Sequence, residues 1–225
     1  MLLILTGSRG DPNFKFSIQP PSLNGLAEIV CVPQKIRCNC NLCNRCVAAY
    51  GKAMILRPAN PADAEALAKL GRESFCAAFG ALYRTEDLAT FLQQAYSLDA
   101  VAHEIADPAI THCLAQDAPD GALTGYIKLT NPSPYGEYSS ANRPLGLGQL
   151  YTDPARTGEG IGAALMEWAL EQAQTGQHDA IQLSVWSENY GAQRFYARYG
   201  FGKIADIGFW VGQQRDEEFL YELRL

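Results

Sequence analysis

The chain has 225 residues, 48 % hydrophobic and 19 % charged, with 20 Gly and 12 Pro. These values exclude intrinsic disorder, a collagen-like chain and, with no run near the roughly 18 apolar residues required, a membrane span. The formal net charge of −6 is uneven: residues 1–53 carry six Lys/Arg and two Asp/Glu, residues 54–225 twelve and twenty-two.

That break, from +4 to −10, argues for a boundary near Met54. The acidic part is a poor nucleic-acid binder, since phosphate contacts need clustered Lys/Arg, and a better host for a cationic small molecule. Residues 1–53 show little periodicity. They read as a poorly structured leader or as a misassigned start, with translation beginning at Met54. Cys31, Cys38, Cys40, Cys43 and Cys46 fall here. Their C-x-C-x2-C-x2-C run is tighter than usual zinc spacing, so no metal is expected.

Residues 54–59 alternate as a strand. A helix starts at Pro61 behind an Asn60 cap, with Leu67, Leu70, Phe75 and Phe79 on its apolar side. Thr85 is expected to cap a second helix carrying Leu88, Phe91 and Leu92; a third stops before Pro108. Strands follow at 111–116 and 122–129, joined by a turn at Asp120-Gly121. Residues 130–144 form a long polar loop, and 145–152 a strand whose two glycines suit a close approach by backbone or ligand. Gly158, Gly160 and Gly162 lead into a helix with Ile161, Leu165, Trp168 and Ala169 on one face and Gly176 as its C′ stop. A strand at 180–186, a helix from an Asn189 cap to Gly200, and two strands complete an α/β order: a mixed sheet covered by helices.

The glycine turn exposes N–H groups at a helix N-terminus, which suits an anion. It is not a Walker loop, having no Gly-Lys-Ser/Thr. It is not a Rossmann fingerprint either, being G-x-G-x-G deep in the chain. Its plainest role is a tight strand-to-helix turn.

Taken together, "QLYTDPARTGEGIGAALM" and "LSVWSENYGAQRFYARYGF" resemble the acetyl-CoA site of the GNAT N-acetyltransferases, over about residues 54–225. Within that family the chain is most similar to bacterial polyamine (spermidine/spermine) N-acetyltransferases. The resemblance implies a GNAT-like mixed, mostly antiparallel twisted sheet covered by helices on both faces. It implies acetyl-CoA as co-substrate, a small-molecule amine acceptor, a cytoplasmic setting, and no nucleic-acid or membrane partner, with a homodimer left open. Leu150, Tyr151 and Thr152 would run beside the pantetheine arm. Thr157 and the backbone amides of Gly158, Glu159, Gly160, Ile161, Gly162 and Ala163 would hold the pyrophosphate. Asn189 would contact the cofactor chain, and Tyr196 would protonate the departing thiolate. Without the family pattern, Tyr196 is a core aromatic and Asn189 a helix cap. Thr157 departs from the family, which places Gln or Arg there.

Acyl transfer needs a neutral amine. A lysine-like amine, with pKa about 10.4, costs about 4–5 kcal/mol to neutralise at pH 7. Many family members have a Glu on the strand read as 145–152. This sequence has Gln149, which cannot act as base, so Glu137, Glu188 and Asp153 are the candidates. Phe75, Phe79, Tyr83 and Tyr135 could wall the acceptor, and Glu73, Glu86 and Asp87 could draw a polyamine. Transfer to a protein or peptide amine, or a non-catalytic coenzyme-A-binding module, are the alternatives.

Overall fold

The computed structural model describes residues 45–49 and 52–225. Cys31, Cys38, Cys40 and Cys43, and the reading of most of the leader, lie outside them. One eight-stranded sheet runs in the order β1-β2-β3-β4-β5-β6-β8-β7. Strands β1 (Arg45–Ala49), β2 (Lys52–Pro58), β3 (Ile110–Gln116), β4 (Leu123–Thr130) and β5 (Pro144–Thr152) pair antiparallel in sequence order. Strand β6 (Ala180–Trp186) joins β5 in parallel, and β8 (Gln214–Arg224) lies antiparallel between β6 and β7 (Gly202–Val211). The sheet therefore takes in Arg45–Ala49, from the segment read as a leader.

Helices α1 (Ala64–Phe79), α2 (Thr85–Tyr96) and α3 (Leu98–Ala106) cover one face, and α4 (Ile161–Thr175) and α5 (Tyr190–Arg198) the other. Leu67, Leu70, Phe75 and Phe79 are buried as their helical spacing requires, and the Phe75 ring meets Phe91 of α2 at 4.6 Å. On α4, Ile161, Leu165 and Ala169 are buried, while Trp168 is half-buried at the margin. No helix among the described residues is long and apolar enough to cross a membrane.

Two caps differ from expectation. Thr85 is the first helical residue, and Arg84 holds the cap position without a side-chain bond. The following helix, α3, is capped by Ser97, which accepts from Ala100 N–H at 3.2 Å. Gly176 is right-handed (φ −75°), and the left-handed residue after α4 is Gln177 (φ 54°). Gly176 serves space instead: a Cβ there would lie 2.7 Å from the His178 ring. Similarly, a Cβ on Gly146 would meet Pro134 at 2.9 Å, so it is the chain's own 130–144 loop that approaches β5 there.

Strand β5 carries a bulge. Lys128 pairs with Gln149 and Leu129 with Leu147, leaving Gly148 as the extra residue. Beyond it, Leu150 packs with the α4/α5 core and Tyr151 with the α1–α3 core.

At the start of α1, Asn60 accepts from Ala62 N–H at 3.0 Å while Asp63 accepts from Asn60 N–H at 2.8 Å. Arg57 forks onto Asp63 at 2.6 and 2.7 Å. That guanidinium holds the Asp63 carboxyl below the usual carboxylate range. The stabilisation is therefore present above the unfolded pKa of about 3.9 and is lost as pH falls through the lower folded value. Asp63→Asn is expected to cost about 1–3 kcal/mol at pH 7. Thermal denaturation of both proteins at pH 7 and about pH 3 checks this: the gap in Tm should narrow in acid.

Candidate functional site

Strands β5 and β6 pair over only three positions, Pro144↔Ala180, Leu145↔Ile181 and Gly146↔Gln182. Beyond them β5 stays with β4 and β6 with β8. Residues 147–152 and 183–186 thus edge a wedge-shaped gap in the middle of the sheet. The Gly148 bulge lies where the strands part; a bulge bends its strand and sharpens its twist. Each edge presents backbone groups that need a partner. Leu150, Tyr151 and Thr152 form the end of the free length of β5. Leu150 and Tyr151 are buried on opposite faces, and the buried Thr152 Oγ1 bonds to nothing among the described residues.

The chain then turns into α4. Gly158 (φ 84°) and Gly160 (φ 83°) are both left-handed, a conformation that costs a side chain about 1–2 kcal/mol. The first bond of the helix runs from Ala164 N–H to Gly160 C=O at 3.0 Å. The amides of Ile161, Gly162 and Ala163 precede it, so they have no intrahelical acceptor and form the positive end of the dipole. Arg156 does not point a free guanidinium at them. It is bound to Asp117 at 2.7 Å and to Glu159 at 2.6 Å, and those carboxylates raise its pKa further. Thr157 is half-buried beside it.

Behind β6, Asn189 Oδ1 accepts from Ala192 N–H at 3.0 Å and caps α5. Its Nδ2 has no partner among the described residues. Tyr196 is 0 % exposed, its ring held edge-on by Phe195 at 5.2 Å and Phe201 at 5.7 Å. Its hydroxyl also has no described partner. Buried phenols normally find one, as Tyr126 and Tyr96 do in a chain through Gln149 to Tyr151. Burial drives the Tyr196 pKa well above that of an ordinary tyrosine, so it holds its proton at neutral pH.

On the α1–α3 face, β8 buries carboxylates. Asp216 and Glu222 are 8 % and 9 % exposed and Glu218 is 0 % exposed, all on one side of the strand with Leu220. Ser184 and Gln182 of β6 lie beside them, since Ser184 pairs with Leu220 and Gln182 with Glu222. Tyr135 donates to Ser184 Oγ at 3.3 Å, Ser133 to Gln182 Oε1 at 2.6 Å, and Tyr83 to the Asp216 carboxylate.

The sequence reading missed these acids. The available signal was charge at period 2 (Asp216, Glu218, Glu222) where the buried side of a strand is normally apolar. It favoured instead Glu137 and Glu188, which are exposed, and Asp153, whose side chain accepts from Ala155 N–H at 2.9 Å. Glu73 and Glu86 are exposed, and Asp87 accepts from Gln213 N–H at 2.9 Å, tying α2 to the β7–β8 turn. Phe75 and Phe79 are core; Tyr83 and Tyr135 reach the acid-lined side. Gln149 is occupied by two tyrosines, and burial pushes the Cys113 thiol up to about 12.

The sequence model of the acetyltransferase (GNAT) family matches residues 72–201. An uncharacterized N-acetyltransferase in the pepI 3′ region of Lactobacillus delbrueckii subsp. lactis is 30 % identical over 69 % of this chain and 88 % of its own. A PaiA N-acetyltransferase from Thermoplasma acidophilum, solved in complex with coenzyme A, is similar at TM-score 0.61 and 23 % identity, over 76 % of this chain and 99 % of that one. NAA60 from Arabidopsis thaliana, solved with acetyl-CoA, is similar at TM-score 0.61 and 18 % identity, over 76 % and 98 %. By the family match and the 30 % identity, the chain belongs to the acetyltransferase (GNAT) family.

Proposed function

We propose that the chain transfers the acetyl group of acetyl-CoA directly to the primary amine of a small molecule, with polyamines as the finer candidate class. The observation that carries this reading is the gap between β5 and β6, with the Tyr196 phenol, unpartnered among the described residues, buried behind it and the glycine turn at its end. The family supplies the acyl-CoA-dependent chemistry.

In this reading the amides of 158–163 take the pyrophosphate. The free edge at Leu150–Thr152 bonds the pantetheine amides, Asn189 Nδ2 donates to the same arm, and Tyr196 protonates the leaving thiolate. Thr157 supplies no long cation, and Arg156 is already neutralised by two carboxylates. Thr157→Arg is therefore expected to tighten acetyl-CoA binding or leave it unchanged by calorimetry. A tenfold loss, about 1.4 kcal/mol, would argue against this register of the turn.

Buried carboxylates on the other face support a cationic acceptor, because a desolvated negative group attracts ammonium far more strongly than one in water. A thiol-release assay with spermidine, amino acids and peptides tests the assignment. Preference for spermidine is expected. Preference for peptides moves the acceptor to proteins, and silence on every amine with acetyl-CoA still bound leaves a non-catalytic binding module.

A further inference from the structure

Resting on that reading, we propose that Glu218 is the acceptor-side base: its carboxylate receives the ammonium of the incoming amine and removes its proton. The pairing register carries the placement. Glu218 lies opposite Trp186, the last residue of β6, within the stretch that has already parted from β5. It is 0 % exposed, on the α1–α3 side of the sheet. Tyr196, equally buried and with its hydroxyl unpartnered among the described residues, approaches from the α4/α5 side.

Tyr151, on the free length of β5, senses both. Burial is the main cause that lifts the Tyr151 and Tyr196 pKa values; the Glu218 charge adds to the first and Tyr151 to the second. A base on the α1–α3 side and an acid on the α4/α5 side thus stand on opposite faces of the sheet near the parted end of β6, which is the order the reaction needs. Tyr83 from the link after α1, Tyr135 from the 130–144 loop and Tyr151 from β5 lie close enough to feel the Glu218 charge, and Asp216 is two residues before it on the same side of β8. All three phenols are held above their ordinary pKa by burial and stay neutral near pH 7. Asp216 is fixed by hydrogen bonds from Tyr83 and Gln214.

The proton balance closes. The ammonium gives one proton to Glu218, and the neutral nitrogen attacks the thioester carbonyl. The C–N bond forms, the C–S bond breaks, and Tyr196 protonates the sulfur. The second nitrogen proton restores Tyr196 through solvent, and Glu218 releases its own. The sum is amide, free thiol and one proton.

The experiment compares wild type, Glu218→Gln and Glu218→Asp for acetyl-CoA affinity by calorimetry and for kcat/KM across pH. The acceptors are spermidine and glycinamide, an α-amine of pKa about 8 against about 10.4 for a lysine-like amine. Glu218→Gln should keep its acetyl-CoA affinity within about threefold and lose about a hundredfold or more on spermidine near pH 7.5. It should regain rate as pH rises, when solvent supplies the free amine, and should lose less on glycinamide. Glu218→Asp should fall between the two and keep the wild-type pH profile. Equal losses on both amines with no change in pH profile overturn the proposal, as does an unchanged rate. Loss of acetyl-CoA affinity in both variants overturns it too, because the residue is then structural. Wild type that binds acetyl-CoA but acetylates neither amine also overturns it. Failure of wild type to bind acetyl-CoA removes the underlying reading instead.

Discussion

Tyr196→Phe should lower turnover by roughly 10²–10⁴ while leaving acetyl-CoA affinity nearly unchanged. The change removes one oxygen and keeps the ring, so the edge-on contacts with Phe195 and Phe201 survive. The lost hydroxyl bonds to no described residue, so no hydrogen bond among the described residues is broken. Removing a buried polar atom without a partner should even raise stability slightly. A fall in turnover alongside an equal or higher Tm is thus the expected pairing. An unchanged rate would take Tyr196 out of the chemistry, and a matching fall in Tm would make it a packing residue.

Gly160→Val should weaken acetyl-CoA binding at least tenfold, about 1.4 kcal/mol. The cause is backbone geometry. At φ 83° a β-branched residue is strained, so the turn will rotate to relieve it. Rotation redirects the amides of Ile161, Gly162 and Ala163, which sit directly after it. Gly160→Asn is the matched control, since Asn tolerates the left-handed region, and it should retain most of the affinity. Equal calorimetric affinities for Val and wild type would show that these amides do not grip the diphosphate.

Much of the scaffold was legible because its elements obey simple periods. The strand read as 180–186 matches β6 to the residue, and the glycine turn announced the start of α4. The family resemblance drew on the same turn and the Asn189–Tyr196 spacing. The acid-lined side was not legible. Asp216 and Glu218 lie near the chain end in "RDEEFLYEL", and such charge reads as a solvated edge until Tyr83, Tyr135 and β6 are known to cover it. Nor did local sequence fix where α2 starts: Thr85 is a good capping residue, yet it is the first helical residue and Arg84 holds the cap position. Arg156 illustrates the same limit. Its neutralising partner Asp117 is 39 positions away.

The extra residue at Gly148 also sets a reading frame for β5. Side chains alternate across a strand, so paired without that insertion the same letters would be presented in reverse. Leu150 would then look toward the α1–α3 side and Tyr151 toward the α4/α5 core, exchanging an aliphatic and a hydroxyl-bearing side chain across the sheet. Which face Leu150 and Tyr151 each present is therefore decided by one out-of-step glycine as much as by their own chemistry.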